Sequence, residues 1–152
     1  MKKIFIAFLI TIFSSAFALA AEPIAGTWKT IDDETGEAKS LVQIYENNGN
    51  VYGRVVRLFK NETATAKGVK GSPKIVGLDI LWNLKDTGDK FTGGKILDPK
   101  KGKVYNSEAW LENKNTLIVR GKIGPFGRNQ KWIREESAKN DIELIPLIPE
   151  LD

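Results

Sequence analysis

From residue 26 to residue 134 the chain sets short β-branched or aromatic stretches between clusters of Asp, Asn, Gly and Pro. Within the stretches, apolar and polar positions tend to alternate with the period of two that sends successive side chains to opposite faces of a strand. Strands are predicted over 26–31, 39–46, 51–59, 75–84, 90–97, 103–111, 116–123 and 129–134. Asn47-Asn48-Gly49-Asn50 reads as a tight hairpin, because Asn and Gly tolerate φ > 0. Asp32-Asp33-Glu34-Thr35-Gly36 and Asp98-Pro99-Lys100-Lys101-Gly102 repeat an Asp-x-x-x-Gly frame. In such a turn the Asp accepts backbone N–H bonds and the Gly takes the left-handed exit. Asp86-Thr87-Gly88-Asp89, Asn113-Lys114-Asn115 and Gly124-Pro125-Phe126-Gly127 separate the remaining strands. Gly93-Gly94 predicts a bulge or a close backbone approach, and Gly77 a bend.

No segment in this region keeps helical periodicity over three turns. About eight strands with turns at roughly 8–12-residue spacing fit a sandwich or a barrel. Short consecutive connections favour an up-and-down meander, and a meander of that size escapes exposed edges by closing. The expected fold is therefore all-β: a single antiparallel up-and-down barrel.

The ends of the chain read differently. Lys2 and Lys3 precede an apolar stretch over 4–20 that ends in Ala18-Leu19-Ala20, the small–x–small pattern of a signal peptide cut after Ala20. An uncleaved anchor is the alternative, but the stretch is interrupted by Thr11, Ser14 and Ser15 and carries a cleavage pattern that an anchor would lack. The expected divisions are a leader over 1–20, a barrel domain over 21–136 and a tail over 137–152, with the mature protein periplasmic or secreted and without an integral membrane segment. The tail joins acids (Asp141, Glu143, Glu150, Asp152) to apolar residues (Ile142, Leu144, Ile145, Leu147, Ile148, Leu151), while Pro146 and Pro149 oppose a helix. Beside a basic body, such a tail is expected to fold back onto the barrel. Residues 60–74 are polar and long for a barrel connection, either a mobile lid or a surface loop.

Charge and composition narrow the chemistry. The net charge is +4, of which two units belong to the leader, too little to argue for nucleic acid. With no Cys there is no disulfide, thiol nucleophile or thiolate metal site. With no His there is no Ser-His-Asp triad, no His-ligated metal and no imidazole base. Asp32-Asp33-Glu34 lacks the spaced oxygens of a calcium loop, so neither metal nor cofactor is expected. Asp79 and Asp98 are the acids nearest the motif residues, but nothing in the sequence places them together as a hydrolytic pair.

Gly26-Thr27-Trp28 opens the strand region and Trp132-Ile133-Arg134 closes it. The pair resembles the calycin and lipocalin barrel signature, which implies that Trp28 plugs one end with Arg134 across its indole face. Such a closure is a large buried ring with a cation–π and hydrogen-bonding partner. Trp28, Trp132 and Arg134 are accordingly read as structural. A longer succession is more specific. Lys39-Ser40-Leu41-Val42, Gly53-Arg54-Val55-Val56, Asp98-Pro99 with Gly102-Lys103-Val104-Tyr105, Leu117-Ile118-Val119-Arg120-Gly121 and Gly127-Arg128-Asn129-Gln130 follow in order. The whole resembles the exported bacterial domain-of-unknown-function family 2147, a lipocalin-like barrel group without an agreed activity. Many of its members carry a cysteine pair in the loop corresponding to 60–74, where this chain has Thr63, Ala64 and Ala66. A redox role is therefore not carried over.

The expected function is non-enzymatic binding of a small, largely apolar or amphipathic molecule in the barrel. A filled barrel serving as an envelope interaction module is the alternative, and a carboxylate hydrolase the third reading. Tyr52, Trp82 and Trp110 are expected to ring the mouth, with 60–74 as its gate and Tyr105 and Arg120 as further ligand candidates. On 116–123, Leu117, Val119 and Ile123 form the better inward face, which turns Arg120 to solvent; facing inward, it would anchor an anionic head group. Oligomeric state is left open.

Overall fold

The computed structural model describes residues 24–136 and 144–152. The expected leader and residues 137–143 of the tail lie outside the described residues. The turn chemistry lays out the sheet. Asn48 and Gly49 take left-handed φ values of 49° and 80° and close a two-residue hairpin between β2 (Ala38–Asn47) and β3 (Asn50–Leu58). β1 (Gly26–Ile31) precedes them; β4 (Asp79–Asp86), β5 (Phe91–Asp98), β6 (Lys103–Asn113), β7 (Thr116–Ile123) and β8 (Phe126–Arg134) follow. Each strand pairs antiparallel with the next, and β1 pairs with β8, closing the barrel.

Two boundaries differ from the sequence reading by more than two residues. Residues 75–78 are not strand: Gly77 takes φ 97°, and its N–H donates to Val55 O at 2.7 Å while Leu78 N donates to Ile75 O at 3.1 Å. The segment is a turn against β3, and β4 starts at Asp79. β8 starts at Phe126 rather than 129, because Phe126 and Gly127 pair with Ile123 and Lys122, leaving a turn of Gly124 and Pro125.

Alternation of strand direction puts turns 48–49, 87–90 and 114–115 at one end of the barrel, and 32–37, 59–78, 99–102 and 124–125 at the other. The first end is closed by Trp28, which is fully buried. Its Nε1 donates to Ile24 O at 2.8 Å, and Arg134 Cζ lies 4.3 Å from its ring centroid. Arg134 also donates from Nε to Lys114 O at 2.8 Å and from Nη1 to Ala25 O at 3.3 Å. Gly26 is needed beside them, since its φ is 137° and a Cβ there would sit 3.2 Å from Arg134 Nη1.

Residues 60–74 are a packed part of the fold. Ala66 and Val69 are buried, Thr65 bridges Lys74, and Ala66 N donates to Pro73 O at 2.8 Å. The loop is clamped to the β5–β6 turn, with Lys67 N donating to Pro99 O at 2.9 Å. A Cβ on Gly68 would stand 2.5 Å from Gly102 O, so the two backbones meet without side chains. Residues 144–152 strap the outer side of this loop. Val69 bridges Leu151, Lys70 N donates to Glu150 O at 2.8 Å, and Asp152 N donates to Gly68 O at 3.0 Å.

The strap is also held by a buried cluster on the outer face of the barrel. The Asp79 side chain is fully buried; its carboxylate pairs with Arg54 Nε at 3.1 Å and accepts from Tyr45 Oη at 2.7 Å and from Leu147 N at 2.8 Å. Arg54 Nη2 donates to Ile145 O at 2.6 Å. Burial, and then the Asp79 carboxylate, push the Tyr45 phenol well above its ordinary range, so it remains a donor. Apolar contact is confined to part of the strap: Leu144 packs against the core and Pro149 is buried, whereas Ile145 is 72% exposed and Leu147 59%.

Two outcomes follow from these contacts. Arg134→Lys loses the planar fork over Trp28 and is expected to lower stability by about 1–3 kcal/mol, read by chemical denaturation; no loss would deny the closure its role. Truncation after Ser137 removes the strap's bonds to Asp79 and Arg54. A Tm several degrees lower is expected, and an unchanged Tm would mean that the strap contributes nothing.

Candidate functional site

Opposite the Trp28 end, the barrel contains a cavity of about 880 Å³. Every strand contributes to its wall: Thr30, Ser40, Val55, Ile80, Ile96, Tyr105, Val119 and Gln130 from β1 to β8 in turn. That volume lies within the roughly 300–1,000 Å³ typical of small-molecule sites. An eight-stranded barrel can hold one small ligand or fill itself with side chains, and here the half towards the mouth is open. The wall is mostly apolar, with Trp132 also contributing. Thr30 and Ser40 satisfy each other through a hydroxyl pair at 2.7 Å, and Trp132 Nε1 donates to Gln130 Oε1 at 3.3 Å. Gly121 leaves room beside Tyr105: a Cβ there would meet Tyr105 Cβ at 3.5 Å and Ile96 Cγ2 at 3.7 Å, ordinary contact.

The mouth is built by the repeated turn. Asp32 Oδ1 accepts from Glu34 N at 2.8 Å and Thr35 N at 3.1 Å, and Gly36 N closes on Asp32 O at 2.8 Å. Asp98 Oδ1 accepts from Lys100 N at 3.0 Å and Lys101 N at 3.1 Å, and Gly102 N closes on Asp98 O at 2.8 Å. Lys39, 3.0 Å away, followed by the Glu34 and Thr35 amides, holds the Asp32 carboxyl down at about 2. Its interaction is thus present above the ordinary carboxylate value of 3.8 and fades only as pH falls towards 2. Arg128 Nη2 reaches Asp33 at 2.8 Å and Glu34 at 3.2 Å, fastening the first turn to β8. These bonds, Asp33 first, raise the Arg128 pKa. Lys60 meets Glu37 at 3.0 Å. The β7–β8 turn completes the mouth with Ile123, 64% exposed, and Phe126, 78% exposed, both of which line the cavity.

Of the five ligand candidates, Tyr105 lines the cavity and the other four do not. Trp82 faces away from it because β4 carries an irregularity. Gly53 pairs with Leu81 and Arg54 with Asp79, so Ile80 is an extra residue in the ladder. Ile80 lines the cavity and Leu81 pairs with the cavity residue Ile96, which sends Trp82, paired with Lys95, to the outer face. Strict alternation from Ile80 would have turned Trp82 inward. Trp110 follows Ala109 and pairs with Ile118; Lys90 Nζ lies 4.8 Å from its ring centroid. Tyr52 stacks on Tyr45 with centroids 5.4 Å apart and donates to Asn83 Oδ1 at 3.2 Å. Arg120 lies over Gly127, its guanidinium in the space a Cβ would take, and donates to Asn129 Oδ1 at 2.8 Å. The expected mouth ring of Tyr52, Trp82 and Trp110 is therefore replaced by turn residues and by Ile123 and Phe126. Asp98 lines the mouth, whereas Asp79 lies in the outer cluster, so the two acids do not share the cavity. Among the described residues no group of three or more His, Cys, Asp or Glu could hold a metal ion.

Val119 and Ile123, read from the sequence as inward-facing, do line the cavity, whereas sequence reading missed Ile80 and Ile96 as ligand wall and Lys67, Lys100 and Lys101 as rim residues. For the lysines the only signal was their place beside turn glycines.

Known proteins agree with this architecture. Comparison with curated proteins finds no match. Among solved structures, protein HP1028 from the human pathogen Helicobacter pylori, described as belonging to the lipocalin family, superposes with a TM-score of 0.64 at 20% identity, over 75% of this chain and 84% of that one. At that identity the likeness concerns the fold. Residues 26–134, the span from Gly26 to the Arg134 that closes the barrel, match the family described as "Uncharacterized protein conserved in bacteria (DUF2147)", and the chain belongs to that family.

Proposed function

We propose that the protein is an exported, non-enzymatic binder whose barrel takes one small, largely apolar or amphipathic molecule through the mouth. The observation that carries this reading is the open half of the lumen, about 880 Å³ walled by a residue from every strand. The closed end supports it too, because a site with one entrance excludes water from the apolar end of a ligand. Export is supported by Lys2, Lys3, the apolar stretch after them and Ala18-Leu19-Ala20. The lipocalin-like fold is compatible with such binding and supplies no ligand by itself. The interaction-module alternative draws less support, since Trp82 is buried and Trp110 half-buried, which leaves no outer patch of exposed tryptophan.

The test is a fluorescent hydrophobic dye titrated into the purified protein and then displaced by a panel of lipids. Gly121→Leu places an isobutyl group in the lumen from a position with room for a Cβ. It is expected to weaken dye binding by about tenfold or more while moving the Tm by only a few degrees. A dye that binds neither protein, or binds both equally, would overturn the cavity reading.

A further inference from the structure

We infer that the occupant of the cavity carries an anionic head group, a carboxylate or a phosphate monoester, received at the mouth by Lys67, Lys100 and Lys101. The inference rests on the cavity reading and adds the chemical class of the ligand. Its basis is a charge inventory of the rim. Each acid there is already engaged: Asp32 with Lys39 at 3.0 Å, Glu37 with Lys60 at 3.0 Å, Asp33 and Glu34 with Arg128, and Asp98 with the amides of its own turn. Three lysines that line the same cavity, Lys67, Lys100 and Lys101, have no acidic partner among the described residues.

These three are not scattered. The clamp between Lys67 N and Pro99 O, with Gly68 set against Gly102, brings residue 67 beside the turn that carries 100 and 101. Two segments far apart in sequence thus concentrate like charge on one sector of the rim. The other face of the same loop treats its cation differently: Lys70 pairs with Glu150 of the strap at 2.7 Å. Three lysines against the single carboxylate of Asp98 leave this sector net positive, which beside an apolar lumen favours an anion and repels a cation, most strongly at low salt. The exposed Ile123 and Phe126 give the mouth an apolar lip as well. Lipid tail against wall and lip, with the charged end against the lysines, is the one orientation that leaves neither part of an anionic amphiphile mismatched.

The experiment compares four ligands of one chain length on the purified, delipidated protein: dodecanoate, dodecyl phosphate, dodecanol and dodecyltrimethylammonium, each below its micelle concentration. Calorimetry or dye displacement is run at low and at high salt. Both anions are expected to bind about tenfold tighter than dodecanol at low salt, with the cation weakest and the gap narrowing in high salt. In Lys67→Gln/Lys100→Gln/Lys101→Gln, all exposed positions, the anions should fall to the level of dodecanol while dodecanol itself is unchanged. The order of the two anions identifies the head group. Dodecanol binding as tightly as the anions, or a preference that survives in the triple variant, would overturn the inference and leave the cavity reading standing. Binding of none of the four would remove both.

Discussion

Closure of β1 on β8 depends on Arg134 lying across Trp28. A guanidinium facing an indole is attracted by the ring's quadrupole, and the attraction grows as water is excluded. Arg134 also donates to carbonyls of Ala25 and Lys114, so one side chain ties the lead-in to β1, the β6–β7 turn and the last strand together. The indole N–H is satisfied within the same end by Ile24 O. Gly26 is the price of this fit, because the backbone there has φ 137° and the guanidinium occupies the space of a Cβ. Sealing one end in this way leaves entry to the lumen at the opposite end, where the Asp-x-x-x-Gly turns stand.

The lumen is hollow on one side because side chains are distributed unevenly along it. In the closed half, large residues lean across glycines: a Cβ on Gly53 would meet Leu81 and Val42 at 3.1 Å, and one on Gly94 would meet Leu84 at 2.7 Å. Towards the mouth Gly121 has only ordinary contacts, and nothing crosses to fill the space. A half-empty barrel gives up burial that a filled one would have. Part of the compensation lies outside it. Tyr45, Tyr52 and Trp82 are buried on the outer face, and Ala66, Val69 and Ile75 are buried in the connection that packs over the barrel. The strap then joins that connection to the Asp79 cluster.

Features governed by local chemistry were legible in the sequence. Asn48-Gly49 gave its hairpin, both Asp-x-x-x-Gly frames gave the same capped turn, and Gly93-Gly94 marks an irregular pairing of β5 with β6, with Gly93 at φ 76°. Gly26-x-Trp28 and Arg134 were legible together because an all-β chain has to close. What the pattern concealed came from pairing. The extra residue at Ile80 inverts the faces directly after it, so the aromatic position most suggestive of a mouth, Trp82, lies outside, and a second irregularity before Leu84 restores the phase. The contact of Gly68 with Gly102 joins segments 34 residues apart, and neither glycine signals it locally. The tail's acids and apolar residues pointed to docking, and Leu144 does pack against the core, but nothing in the sequence showed that Asp79, fully buried beside Arg54, would hold the strap through its backbone.

The two ends of the barrel use cations in opposite ways. Arg134 is used for closure, against a ring and two carbonyls. At the mouth, Arg128, Lys39 and Lys60 sit in exposed pairs, and an exposed pair contributes between nothing and about 1 kcal/mol to stability. Their consequence is positional: Arg128 fixes the first turn to β8, and Lys60 fixes the exit of β3 to the start of β2. By occupying Asp32, Asp33, Glu34 and Glu37, these pairs leave Asp98, held by the amides of its own turn, as the rim carboxylate facing the three lysines of the adjoining sector. The Asp32 carboxyl, held down at about 2, remains ionised beside Lys39 across the whole neutral range. The electrostatic character of the entrance is therefore set by which acids are already taken rather than by the small net charge of the chain.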